Sequence, residues 1–334
     1  MSSFQHRQSA HCETGVIASL LTHSGLPISE PMAFGLGSGL AFAYLPFIKV
    51  AGQPLFAYRM PPRFIMKTLC KRLGVKLVGR QFKNEKLGQA YLDDLLTNKQ
   101  IVGLQASVYW LPYFPEEMRF HFNAHNLIVY GKTGREYEVS DPVFEGVVRC
   151  DEQALNRARF AKGALAAKGF LYYLPSCRDL APDWSALIKA SIKTTTRVMA
   201  GLPLPWFGVP GVAHIGHKIS RLDPDNHKAN VRFLTHIVRM QEEIGTGGAG
   251  FRFMYASFLQ ESAELLESTA LDAASIQMTQ VGDAWREFAL ACVNYSRTSG
   301  CSDALKALGS QLASIHQQEA DLIKSLSCWV KTNI

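Results

Sequence analysis

No run of eighteen or more uncharged apolar residues occurs in these 334 residues, so no membrane-spanning helix is expected. The amino-terminal MSSFQHRQSAHCE has no apolar core of the kind a secretory signal needs, which makes the cytoplasm the expected location. Cysteines at 12, 70, 150, 177, 292, 301 and 328 are odd in number and form no CxxC pair, which argues against a disulfide framework and against a zinc ribbon. His214 and His217 lie three apart without a carboxylate or cysteine close in sequence, so no metal is expected there or elsewhere. Internal repeats and low-complexity tracts are also missing. Charged residues make up only 19% against 47% hydrophobic, the balance of a chain that folds.

The charge that is present is unevenly placed. The net value is +7, and residues 1–180 hold all of the excess, with 21 Lys+Arg against 14 Asp+Glu; the remainder is balanced at 14 each. Residues 59–86 carry nine basic residues against Glu85 alone. Within them, Arg63, Lys67 and Lys71 stand four apart and would align on the outer face of a helix expected over Pro61–Leu73, opposite Ile65, Leu69 and Leu73. Such a stripe is either a solvated face or a docking surface for an acidic partner. Aromatic residues are sparse among these charges, so nucleic acid is not the expected partner. Nothing in the sequence sets the oligomeric state.

Hydrophobic periodicity changes character along the chain. After an opening helix, helices are expected at Arg63–Leu73 and Lys86–Asn98. Strand patterns follow at Ile101–Trp110, Asn123–Tyr130, Glu136–Asp141, Gly146–Cys150 and Phe170–Leu174. From Pro182 on, only helical patterns remain. The expected class is α+β, with an antiparallel sheet after a helical start in residues 1–180 and an all-helical domain over 181–334.

The residues that could carry chemistry begin with Cys12. Val16, Ile17, Leu20 and Leu21 mark one face of a short amphipathic helix that starts at about Glu13, placing Cys12 at its N-terminus. Unpaired backbone N–H groups and the positive end of the helix dipole favour both a thiolate and an adjacent oxyanion at that position. An ordinary packed cysteine can occupy the same place, and a partner histidine is what separates the two cases. His125 opens a strand, with Asp141 on the next one. A five-residue turn over Gly131–Arg135 would set them directly opposite each other, whereas a four-residue turn would move Asp141 opposite Asn126 and to the other face. Gly35-Leu36-Gly37 with Gly39 has the wrong spacing for a dinucleotide fingerprint and is read as close backbone packing against the Cys12 helix. Gly245–Gly250 before Arg252 is either a phosphate cradle at a helix start, with Arg252 as the anchoring cation, or a helix cap and tight turn.

A helix-borne cysteine followed by a strand histidine and a strand aspartate resembles the papain-like superfamily in its bacteriocin-leader (C39-type) arrangement. The chain is more specifically similar to the butirosin biosynthesis protein H family. The segments that carry this likeness are Phe4-x-His6, His11-Cys12, Gly25, Phe34-Gly35-Leu36-Gly37, Tyr109-x-Leu111-Pro112-Tyr113, His125-x-x-x-Val129-x-Gly131 and Asp141-Pro142. Gly245 to Tyr255 and Phe258-Leu259 resemble the helical domain usually fused to it, so the likeness spans nearly the whole chain. The resemblance implies an acyltransferase with no bound cofactor. Its donor would be a phosphopantetheine thioester on an acyl-carrier protein, and its acceptor a small molecule bearing an amine or hydroxyl. Cys12 would be acylated, His125 would act as base and then acid, and Asp141 would orient His125. The Cys12 backbone N–H would supply part of the oxyanion hole. Leader peptidases place a glutamine six residues before the cysteine. Here Gln5 and Gln8 are seven and four before it, so they stand beside His11 and Tyr109 as near-site candidates for the second donor. Arg63, Lys67, Lys71 and Arg252 would be the carrier-binding candidates. A papain-like peptidase or amidohydrolase, and a binding protein with a structural cysteine, are the rival readings.

Overall fold

The computed structural model describes residues 4–50, 52–177, 180–201, 204–244, 247–297 and 301–332. In chain order its main elements are α1 (Cys12–His23), α2 (Glu30–Leu36), β1 (Leu40–Val50), β2 (Gln53–Arg59), α3 (Phe64–Arg72), β3 (Val78–Arg80) and α4 (Glu85–Thr97). Then come β4 (Val102–Ala106), β5 (His125–Thr133), β6 (Glu136–Ser140), β7 (Val148–Asp151), α5 (Glu152–Arg159) and β8 (Leu171–Tyr173). The helices α6 (Trp184–Met199), α7 (Gly208–Ser220), α8 (His227–Val238), α9 (Arg252–Leu266), α10 (Thr269–Tyr295) and α11 (Ser302–Thr332) complete it. The class is α+β, and every described helix or strand from Trp184 on is helical.

The chain divides into two compact units: the segments to Ala33 and Pro62–Pro182 in one, Phe34–Pro61 and the chain from Asp183 on in the other. The continuous 1–180 division expected above therefore differs at Phe34–Pro61, which groups with the helices. This insert is the β1–β2 hairpin, antiparallel from Leu40↔Arg59 to Val50↔Gln53, where only close backbone packing was expected. Leu40 to Tyr44 are buried without alternation, so the strand lacks the period-two signature of a half-exposed one. Phe42, Tyr44, Phe56 and Tyr58 fix the hairpin to its unit through ring contacts with Trp285, His214, Phe233 and His236. The expected packing of Gly35 against the Cys12 helix is also corrected. A Cβ at Gly35 would run into the Phe258 ring, so the glycine admits α9.

The first unit is built on a six-stranded antiparallel sheet in the order β3-β8-β4-β5-β6-β7. Leu104, Leu127, Val129, Val139 and Leu171 on one face pack with Leu92, Leu95, Leu155 and Ala158 of α4 and α5. The alternate residues of β4 and β5 lie on the side where α1 packs. Glu13 to Leu21 are all buried, so α1 is a central helix enclosed on every side rather than the one-sided amphipathic helix expected. Gly103 of β4 pairs with Tyr172 of β8, and a Cβ there would meet the tyrosine ring. That missing side chain lets Tyr172 lie flat across the sheet toward β5.

Candidate active site

Cys12 is the first residue of α1. His11 precedes it in extended conformation (φ −132°, ψ 126°), the chain reversal that turns the first helical N–H groups outward. Glu30 ties down the approach to the helix: its carboxylate accepts from Ala10 N at 2.9 Å, from His11 N at 2.7 Å and from Thr14 Oγ1 at 3.0 Å. Burial raises the Glu30 carboxyl above its ordinary value, and these three donors pull it back. Glu13, next to the cysteine, turns away and caps α3 by accepting from Arg63 N at 3.0 Å and Met66 N at 3.2 Å.

His125 and Asp141 meet by a route other than the expected turn. The β5–β6 hairpin closes at Thr133↔Glu136, with Gly134 at φ 61°, so the loop is only Gly134-Arg135. On that register Asp141 would fall opposite Ile128 and on the wrong face. A bulge between Val129 and Gly131 inserts Tyr130 as an extra residue, and the pairing resumes as Val129↔Val139 and Ile128↔Ser140. Continued one step, Asp141 lies opposite Leu127, diagonal to His125 and on the same face. The His125 Nε2–H donates to Asp141 Oδ2 at 2.7 Å, both residues being buried.

Asp141 is held by further donors. Tyr113 Oη donates to Oδ2 at 2.9 Å and Val143 N to Oδ1 at 3.1 Å. The segment carrying it is clamped by residues 6–9: Ser9 N donates to Pro142 O at 2.9 Å, and His6 bridges Ser140 Oγ at 2.7 Å and Phe144 O at 3.0 Å. Burial keeps the Tyr113 phenol protonated, and the neighbouring carboxylate adds to that.

Burial is the largest influence on His125 and favours its neutral form. The charge and hydrogen bond of Asp141, together with the Cys12 side chain, outweigh it and push the imidazole up to about 10. Nε2 is taken by the carboxylate, so Nδ1 is the nitrogen left for the thiol. Phe114 lies edge-on to the ring at 5.6 Å and fixes its plane. A thiol, an imidazole held protonated and a buried carboxylate together can sustain a thiolate–imidazolium pair and transfer its proton.

The other expected site residues fall elsewhere. Gln5 and Gln8 are exposed, and Gln8 Nε2 donates to Val143 O at 3.2 Å. His11 is buried with Nδ1 against Thr14 Oγ1 at 3.0 Å. Tyr109 stacks on His121 at 4.0 Å on the surface. Of the basic stripe, Lys67 and Lys71 are exposed, but Arg63 is not part of it. Arg63 precedes α3 in the left-handed region (φ 70°), which turns its side chain inward. There its Nε donates to Gln105 Oε1 at 2.6 Å and its guanidinium covers the Phe170 ring at 4.0 Å. Arg252 is likewise no ligand. It is buried against Glu319 at 2.8 Å, donates to Gly250 O at 2.8 Å and stacks over Trp285 at 5.0 Å. In the glycine stretch before it, Gly245 and Thr246 lie outside the described residues, and Ala249 N donates to the Glu242 carboxylate at 3.1 Å. An internal anion thus takes an N–H that a phosphate would need. His214 stands beside the Tyr44 ring, and burial, followed by the charges of Lys218 and His217, lowers its pKa.

Sequence reasoning missed Tyr113, Glu30 and Asn126. Asn126 Nδ2 lies 3.8 Å from Cys12 Sγ. Asn126 follows His125 directly, and a search confined to glutamines upstream of the cysteine passes over it.

Residues 11–142 match the family model described as "Butirosin biosynthesis protein H, N-terminal", and residues 153–326 match "Domain of unknown function (DUF4872)". A crystal structure titled as a C39-like peptidase from Bacillus anthracis aligns at 14% identity over 52% of this chain and 95% of its own, with a TM-score of 0.36. No curated protein matches the sequence. With the two family matches lying in order along it, the chain belongs to the butirosin biosynthesis protein H-like family and carries a DUF4872 domain.

Proposed function

We propose that this protein is a cysteine-dependent acyltransferase. In this reading Cys12 is the nucleophile, His125 the proton carrier and Asp141 its orienting anion. The observation that carries the reading is the Cys12 thiol at a helix N-terminus beside a buried imidazole that donates at 2.7 Å to a buried carboxylate. The donor is a thioester, with the phosphopantetheine arm of an acyl-carrier protein as the form the family resemblance favours. The acceptor is a small-molecule amine or hydroxyl.

The Cys12 thiolate attacks the thioester carbonyl, and the carbonyl electrons collect on oxygen. The intermediate collapses by breaking the bond to the pantetheine sulfur, which takes the proton from the His125 imidazolium and leaves as a thiol. Loss of the Cys12 anion removes one of the influences that hold the ring protonated, so neutral His125 is ready as a base. It accepts the acceptor's proton as the amine or hydroxyl attacks the acyl-Cys12 carbonyl. The cysteine leaves as thiolate, and the starting charge pair is restored.

Intact mass after mixing with acyl thioesters tests the reading. Acyl transfer predicts a stable gain of one acyl group on the wild-type chain, discharged by an acceptor amine and absent from Cys12→Ala. Rapid turnover of the thioester to free acid without any acceptor would favour the hydrolase reading instead.

A further inference from the structure

We infer that Asn126 is the side-chain donor that stabilises the oxyanion at Cys12; this rests on the acyl-transfer reading above. Asn126 is buried on β5, next to His125, and its Nδ2 sits 3.8 Å from Cys12 Sγ. A donor at that distance from the sulfur is positioned for an oxygen that develops on the carbonyl carbon bonded to that sulfur.

The direction of the amide is set by its neighbours. Ala124 O, a carbonyl that can only accept, lies 3.1 Å from Nδ2, so the NH2 group faces that side. One N–H goes to Ala124, and the second is directed to the cysteine. On the opposite side, Tyr172 Oη donates to Asn126 Oδ1 at 2.9 Å. Burial holds the Tyr172 phenol protonated, with Glu13 and Cys12 adding to the effect, so it remains a donor. Gly103 makes room for the Tyr172 ring, and Gln105, paired with Asn126 across the β4–β5 ladder, is anchored by Arg63. The amide is thus oriented before any substrate arrives, which is the condition under which an oxyanion donor contributes most.

The same position explains why Gln5 and Gln8 can be absent from the site. The donor comes from the strand beside the histidine rather than from the segment before the cysteine.

Two reactions of Cys12 separate this role from a merely structural one. Acylation by S-acetyl-N-acetylcysteamine passes through an oxyanion, while alkylation by iodoacetamide at saturated carbon does not. Asn126→Ala is expected to slow acylation by about 10²–10³-fold, the range for loss of one oxyanion donor, and to change the alkylation rate by a far smaller factor. Tyr172→Phe, which keeps the amide but removes its anchor, should show a smaller loss of the same selectivity. It serves if Asn126→Ala fails to fold. Acylation at the wild-type rate in both variants, or acylation and alkylation falling together, would overturn the assignment alone. A wild-type chain that alkylates at Cys12 but takes no acetyl group would overturn the acyl-transfer reading and this assignment with it.

Discussion

Among the described residues, each unit contains one ion pair with both partners buried, and the two are put to different ends. In the first, His125 and Asp141 are joined through Nε2 alone, and the other face of the imidazole meets the Cys12 thiol. In the second, the Arg252 guanidinium is enclosed by Glu319, the Gly250 carbonyl and the faces of Trp285 and Tyr58, with no nucleophile among them. Glu319 also accepts from Trp285 Nε1 at 2.9 Å. Burying charge is costly in both places and is offset only by partners. What separates a reactive pair from a structural one is a valence left pointing at a nucleophile, and burial does not reveal it.

Removing the reactive pair should be felt in rate. His125→Ala is expected to lower Cys12 acylation by roughly 10²–10⁴-fold, the usual worth of general acid–base catalysis, measured by quenched intact mass. A small effect would place His125 with Arg252 as structural.

Asp141→Asn sharpens the comparison through pH. In the wild type the ring titrates at about 10, above its ordinary 6.5, so the pair's contribution to stability is complete below about 6.5 and is lost as pH rises through about 10. With the carboxylate removed, burial is the main influence left and pulls the ring below its ordinary value. Histidine ring NMR against pH reads the shift directly, and the high-pH loss of stability should disappear from the thermal midpoint. An unmoved titration would mean that another group orients His125.

Breaking the structural pair should be felt in stability instead. Arg252→Met leaves Glu319 buried without its cation and is expected to cost about 3–5 kcal/mol in denaturant unfolding. The iodoacetamide rate at Cys12 in the folded protein should stay unchanged.

The smallest effect is expected at the surface. Lys67→Glu with Lys71→Glu should slow acylation from a carrier-bound thioester in a salt-sensitive way and leave a small thioester unaffected. Equal slowing of both donors would reduce the two lysines to a solvated face.

Part of this was legible in the sequence. Cys12 at a helix start, the strand character of His125 and the helical second half all follow from local pattern. That Asp141 partners His125 was expected, but the route was not legible, because the extra residue at Tyr130 changes the register in mid-strand and no residue type announces it. Arg63 misled for a related reason: four-residue spacing aligns side chains only inside a helix, and a left-handed residue at its start points elsewhere. The β1–β2 hairpin was hidden by its own burial, since a strand covered on both faces does not alternate. Arg252 stood beside glycines that suggest an anion site, while the anions that occupy it are Glu242, just before the glycines, and Glu319, far along the chain on α11.

The most direct test of the central claim is competitive iodoacetamide labelling at pH 6, read thiol by thiol by peptide mass. Cys301 and Cys328 are exposed, Cys12 is half-buried, and burial pushes the thiols of Cys70 and Cys150 up to about 12. Reactivity governed by exposure would label Cys301 and Cys328 first. The account predicts that Cys12 labels first and that His125→Ala abolishes its lead; equal labelling of Cys12 and the two exposed thiols would contradict it.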